Sequence, residues 1–138
     1  MSGFDVVAAA VKSLAPAGTV LGEVAANAPL PWRSMRVRPP AVLLRSDASP
    51  ALAHTVRVSL ILSAATDTGV LQLATEVDAA LEGKRPVVDG WSCGPLLSRG
   101  TSEPYTTDVI VQGANRRLVT LPMSFEFTVS RLPVEVPP

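Results

Sequence analysis

Residues 55–85, TVRVSLILSAATDTGVLQLATEVDAALEGKR, decide the fold because the apolar period changes within them. Val56, Val58, Leu60 and Leu62 alternate with Arg57, Ser59 and Ile61, the period of two of a strand with one apolar face. Residues 64–69, AATDTG, then turn the chain, and Thr66, Asp67 or Thr68 can cap a helix by accepting an orphan backbone N–H. From Val70 the spacing becomes helical. Val70, Leu73, Ala74, Val77 and Leu81 share one face, while Gln72, Thr75, Glu76, Asp78 and Glu82 lie mostly off it. Gly83 can take the left-handed closing conformation and Pro86 blocks continuation. Lys84 and Arg85 fall at the negative end of the helix dipole. The unit is a strand followed by an amphipathic helix over about 69–83.

Around this unit the chain reads as further strands and one more helix. Phe4, Val7, Val11 and Leu14 recur at helical spacing after a Ser2 cap, and Pro16 and Gly18 end that helix. A short strand is expected within Thr19–Ala26. Residues 28–33 read as a loop, and the prolines bounding 29–40 argue against a regular central strand there. Val42, Leu43 and Leu44 mark a short strand, followed by a polar turn over 46–50. A strand near Asp89–Cys93 leads into a loop through Gly100 to Pro104, and Tyr105–Gln112 forms the next strand. Gly113, Ala114 and Asn115 have turn chemistry. Arg116–Ser130 is the clearest strand: Val119, Leu121, Met123, Phe125, Phe127 and Val129 alternate with Thr120, Ser124, Glu126 and Thr128. Pro122 interrupts its donors, which predicts a bulge or an edge there. The expected architecture is α+β: a mainly antiparallel sheet with the N-terminal and central helices packed on one face. Residues 1–132 form a single domain in this reading, and 133–138 an extended tail.

Composition limits the function. The 138 residues carry 12 Lys+Arg and 12 Asp+Glu, so no global field favours a phosphate backbone. DNA binding by the isolated subunit is therefore disfavoured and no sequence-specific nucleic-acid partner is expected, although a local basic patch is compatible with the balance. No run reaches the ~18 apolar residues of a membrane span. The start has no basic region before its apolar run, so no secretory signal is expected. The lone Cys93 allows no internal disulfide, which fits a reducing compartment.

Catalytic chemistry has little support. His54 is the single histidine. A triad would need a nucleophile and an orienting acid placed beside it, and Ser59, Ser63 and Asp47 are too ordinary to signal one. One His and one Cys do not make a standard zinc site. No phosphate-cradling glycine motif occurs. No cofactor, metal or catalytic residue is assigned. Two basic clusters and one loop are instead candidate partner contacts, because Trp and Arg are favoured interface anchors. These are Trp32, Arg33, Arg36 and Arg38; Arg116 and Arg117; and the 98–107 loop with Tyr105.

The strand VRVSLIL (56–62), the helix ending VDAALEG (77–83), YTTDV (105–109) and the closing strand LPMSFEFTV (121–129) together resemble the tail-terminator, or tail-completion, proteins of long-tailed bacteriophages. The resemblance covers roughly residues 1–132 and rests on apolar patterning. It implies a structural virion protein, not an enzyme. Such proteins form a ring, commonly a hexamer, on the head-proximal end of the tail tube. The ring stops tube polymerisation and presents a surface for head attachment. Implied partners are further copies of the chain, the tail tube protein and the head connector or neck protein, with assembly in the host cytoplasm. Two alternatives stay open: a head–tail connector or neck subunit, and a small ligand-binding domain or enzyme built around a pocket near His54.

Overall fold

The computed structural model describes residues 4–25, 28–38, 41–45, 51–111 and 113–131. The expected Ser2 cap, the 46–50 turn and the 133–138 tail lie outside these residues. The fold is α+β. Its elements in chain order are α1 (Phe4–Leu14), β1 (Val20–Leu21), β2 (Trp32–Val37), β3 (Ala41–Arg45), β4 (Ala51–Ala64), α2 (Asp67–Leu81), β5 (Trp91–Cys93), β6 (Leu97–Thr101), β7 (Tyr105–Val111) and β8 (Ala114–Arg131).

Two long antiparallel strands, β4 and β8, form the middle of the sheet and pair from Ala53↔Ser130 to Ala64↔Val119 without a register shift. Shorter strands lie end to end along the outside of each. On β4, β3 pairs with residues 51–55 and β2 with 58–63. On β8, β7 pairs with 114–120, β6 with 123–126 and β5 with 129–131. Among the described residues, β1·β2 is the single parallel pair, so the sheet is mainly antiparallel.

The alternation in the two long strands separates the faces. On one face, Val56, Val58, Leu60 and Leu62 from β4 meet Leu121, Met123, Phe125, Phe127 and Val129 from β8, all buried. Val70, Leu73, Val77 and Leu81 of α2 and Val7 and Val11 of α1 cover them. The two helices therefore pack on the same side. Burying each large aliphatic side chain contributes roughly 1.5–3 kcal/mol, so this layer supplies most of the driving force for folding. Thr66 is the N-cap of α2, its hydroxyl accepting from the Gly69 N–H at 3.0 Å. The helix thus begins at Asp67, one turn before the first buried apolar residue. Gly83, at φ 75°, lets the chain leave the helix, and its N–H donates to the Leu96 carbonyl at 2.7 Å.

Pro122 produces no bulge in the β4 pairing, and the expected edge is local, a gap in the ladder on the flank away from β4. Pro122 sits opposite Ile61 in unbroken register. Its carbonyl faces the other flank and accepts from the Ser102 N–H at 3.3 Å. The missing donor points to that same flank, between the end of β6 at Thr101 and the start of β7 at Tyr105. Proline is tolerated in a central strand here because no ladder partner stands at that spot.

Two other expectations change. Trp32–Val37 is not loop but β2, lying between β1 and β4. Pro29 and Pro31 precede the strand, so they remove no donor from it. Leu97–Thr101, also expected as loop, is β6, although all five residues are exposed. Its pairing with β8, not an apolar pattern, makes it a strand.

Candidate interaction surface

The face of the sheet opposite the helices carries the polar side chains, and cross-strand register sorts them into rows. The first row runs Trp32, Ser63, Thr120, Tyr105 across β2, β4, β8 and β7. Ser63 and Thr120 are buried polar residues, and their hydroxyls satisfy each other at 3.2 Å. Half-buried Trp32 and exposed Tyr105 therefore flank a closed hydroxyl pair. Sequence spacing alone does not show that residues 73 positions apart share one row.

Beyond the row Ser34, Ile61, Pro122, the following rows run Arg36, Ser59, Ser124, Gly100 and then Arg57, Glu126, Leu97. Arg57 Nε lies 3.5 Å from Glu126 Oε2. Arg99 donates to Glu126 Oε1 at 2.8 Å from the irregularity between Ser98 and Gly100. Arg38 follows β2, its backbone N–H donating to the Arg57 carbonyl at 2.9 Å. Together Arg38, Arg57, Ser59, Arg99, Ser124, Phe125 and Glu126 line an open trough of about 540 Å³.

The first expected cluster is thus divided between faces. Arg36 is on the open face, 62% exposed, with Glu23 at 3.4 Å. Arg33 pairs with Leu62 and so points to the helix side. There it binds Glu76 of α2 and the Ala17 carbonyl, at 3.2 Å for the latter, with its side chain only 16% exposed. Arg33 is a strut between β2, α2 and the α1–β1 connection.

The second cluster lies on a projecting ribbon. β4 stops at Ala64, opposite Val119, but β8 and β7 continue beyond it as two strands closed by the turn at Gly113, φ 79°. Arg116 and Arg117 point to opposite faces of this ribbon. Arg116 donates to the Ala28 carbonyl and holds one face against the segment before β2. Arg117 pairs across the strands with Asp108 at 3.4 Å on the other face. That face also carries Ile110, 76% exposed, opposite exposed Asn115. Ile110 was absent from the sequence candidates. A β-branched residue next to a glycine turn reads as ordinary strand until the end of β4 is known.

His54 and Cys93 do not form a reactive pair. His54 faces the helix side opposite Val129, and its ring meets Phe4 edge-on at 5.4 Å. Its Nδ1 is buried without a hydrogen-bond partner among the described residues. Cys93 is buried, and burial pushes its thiol pKa upward, away from the reactive thiolate. No group of three or more metal-ligating side chains occurs among the described residues.

Comparison with protein-family models and with curated sequences finds no match. Among solved structures, one aligns over 96% of this chain and 99% of its own, with TM-score 0.65 and 17% identity. A second, from the virion of a native gene transfer agent particle, aligns over 94% and 92% with TM-score 0.48 and 20% identity. The first likeness shows a fold shared along essentially the whole of both chains.

Proposed function

We propose that this chain is a structural virion protein of a long-tailed phage-like particle, a tail terminator whose copies close into a ring, commonly six, on the head-proximal end of the tail tube. Its role is binding, not catalysis. One ring face complements the last tube subunits and refuses further ones, and the other offers the head connector its seat. The observation that carries this reading is the unlike pair of flanks on one sheet. One flank ends in the two-stranded β7–β8 ribbon with exposed Ile110. The opposite flank ends in the two-residue β1, with Val20 and Leu21 both exposed. A head-to-tail ring needs two different patches on each subunit. A two-stranded ribbon is marginal alone and gains stability from a third element. The resemblance in apolar patterning to tail terminators supplies the choice of particle.

The test is polymerisation of the cognate tail tube protein with and without this chain, followed by electron microscopy. The reading predicts shorter tubes, each carrying one ring of this protein at one end. Unchanged tube growth with no bound ring would overturn it. Binding only to tubes already completed by another protein would instead assign it to the neck.

A further inference from the structure

We propose that the trough on the open sheet face binds the phosphodiester backbone of nucleic acid without reading bases. It holds three guanidinium groups, Arg38, Arg57 and Arg99, and one carboxylate, Glu126, a formal local charge of +2 in a chain of zero net charge. Glu126 does not cancel the site. With its side chain only 20% exposed, it sits between Arg57 and Arg99 and holds both guanidinium groups over the sheet. Such preorganisation lowers the ordering cost of binding an anion. At the opposite end, the Arg38 guanidinium makes no ion pair among the described residues. Between the ends, Ser59 and Ser124 stand directly opposite each other, and neither hydroxyl makes a hydrogen bond among the described residues. Guanidinium forks and hydroxyl donors are the groups that take phosphate oxygens.

The dimensions favour a chain of phosphates over a single ion. The trough crosses from the end of β2 over β4 and β8 to β6, three strand spacings or about 14 Å. Its 540 Å³ is many times the share of one water, about 30 Å³. No exposed aromatic ring lines it: Phe125 is fully buried beneath. Base stacking therefore has no platform, and contact is confined to the backbone. An acidic peptide offers the same charge, and competition by poly-glutamate distinguishes it from a phosphodiester chain.

The experiment is fluorescence anisotropy with a labelled mixed-sequence DNA duplex from 50 to 200 mM salt, using the full chain. Three phosphate contacts imply a slope of about −2.7 in log K against log salt, an affinity loss of about 40-fold over that range. Arg38→Ala leaves every described ion pair intact. It should reduce the slope by about one, to a loss of about 12-fold, uniformly across DNA sequences. Lys12→Ala, on α1 across the molecule, should change nothing, and poly-glutamate should not displace the duplex at equal charge. The proposal is overturned by absent binding at 50 mM salt, by an unchanged slope in Arg38→Ala, by an equal loss in Lys12→Ala, or by poly-glutamate competing as well as DNA. Matching melting curves for the variants exclude unfolding as the source of a loss.

Discussion

Strand β8 passes through two environments, and the contrast between them separates the folding core from the ribbon proposed to join subunits. Over 119–130 it pairs with β4 along its whole length and piecewise with β7, β6 and β5 on the other edge, and its odd residues lie under α1 and α2. Over 114–118 it has β7 alone, and Ile110, Asp108, Asn115 and Arg117 face outward. The same backbone conformation is thus maintained by burial in one half and by a single ladder in the other. Stability should therefore fall steeply with substitutions of the odd residues in the first half and hardly respond at the exposed positions Ile110, Asn115 and Arg117 of the ribbon.

The largest effects belong to the helix-covered half. Phe125 is fully buried, and Phe125→Ala should cost about 3–5 kcal/mol, with Leu73→Ala on the facing helix about 2–5 kcal/mol, in denaturant melts. Retained stability in both would mean that this layer is not the core. An intermediate effect is expected at the cap of α2: Thr66→Ala removes the acceptor for the Gly69 N–H and should cost about 1 kcal/mol. The smallest falls on the ribbon. Arg117→Ala breaks a pair exposed by 71% and 54%, and its effect on subunit stability should stay within about 0.5 kcal/mol. A large loss there would mean that the ribbon belongs to the folding core and that the two halves of β8 do not differ.

The core was legible in the sequence because its signals are local. Alternation in 56–62 and 119–129, helical spacing in 70–81 and a cap among Thr66, Asp67 and Thr68 need no knowledge of the rest of the chain, and the fold selects Thr66. β2 and β6 were not legible, since WRSMRV and LSRGT lack a continuous apolar face and become strands through partners at 58–63 and 123–126. The interaction surface was legible only in part. Arg36, Arg38, Tyr105 and Arg117 reach the exposed surface, whereas Arg33 is drawn into an internal strut by Glu76. The trough was hidden because Arg38, Arg57, Arg99 and Glu126 are scattered along the chain. An arginine and a glutamate at outward positions of two otherwise clean strands were the one available signal, and it acquires meaning only once Arg57 is known to face Glu126.

In the proposed division of labour, the ribbon joins subunits and the helix-covered sheet folds them. Light scattering on the wild-type chain and on Ile110→Asp, measured beside their thermal melts, tests it most directly. The wild type should form a species whose mass is a multiple of 14.4 kDa, and Ile110→Asp should remain a 14.4 kDa monomer with an unchanged melting temperature. Equal masses for the two proteins, or early melting of Ile110→Asp, would contradict the division.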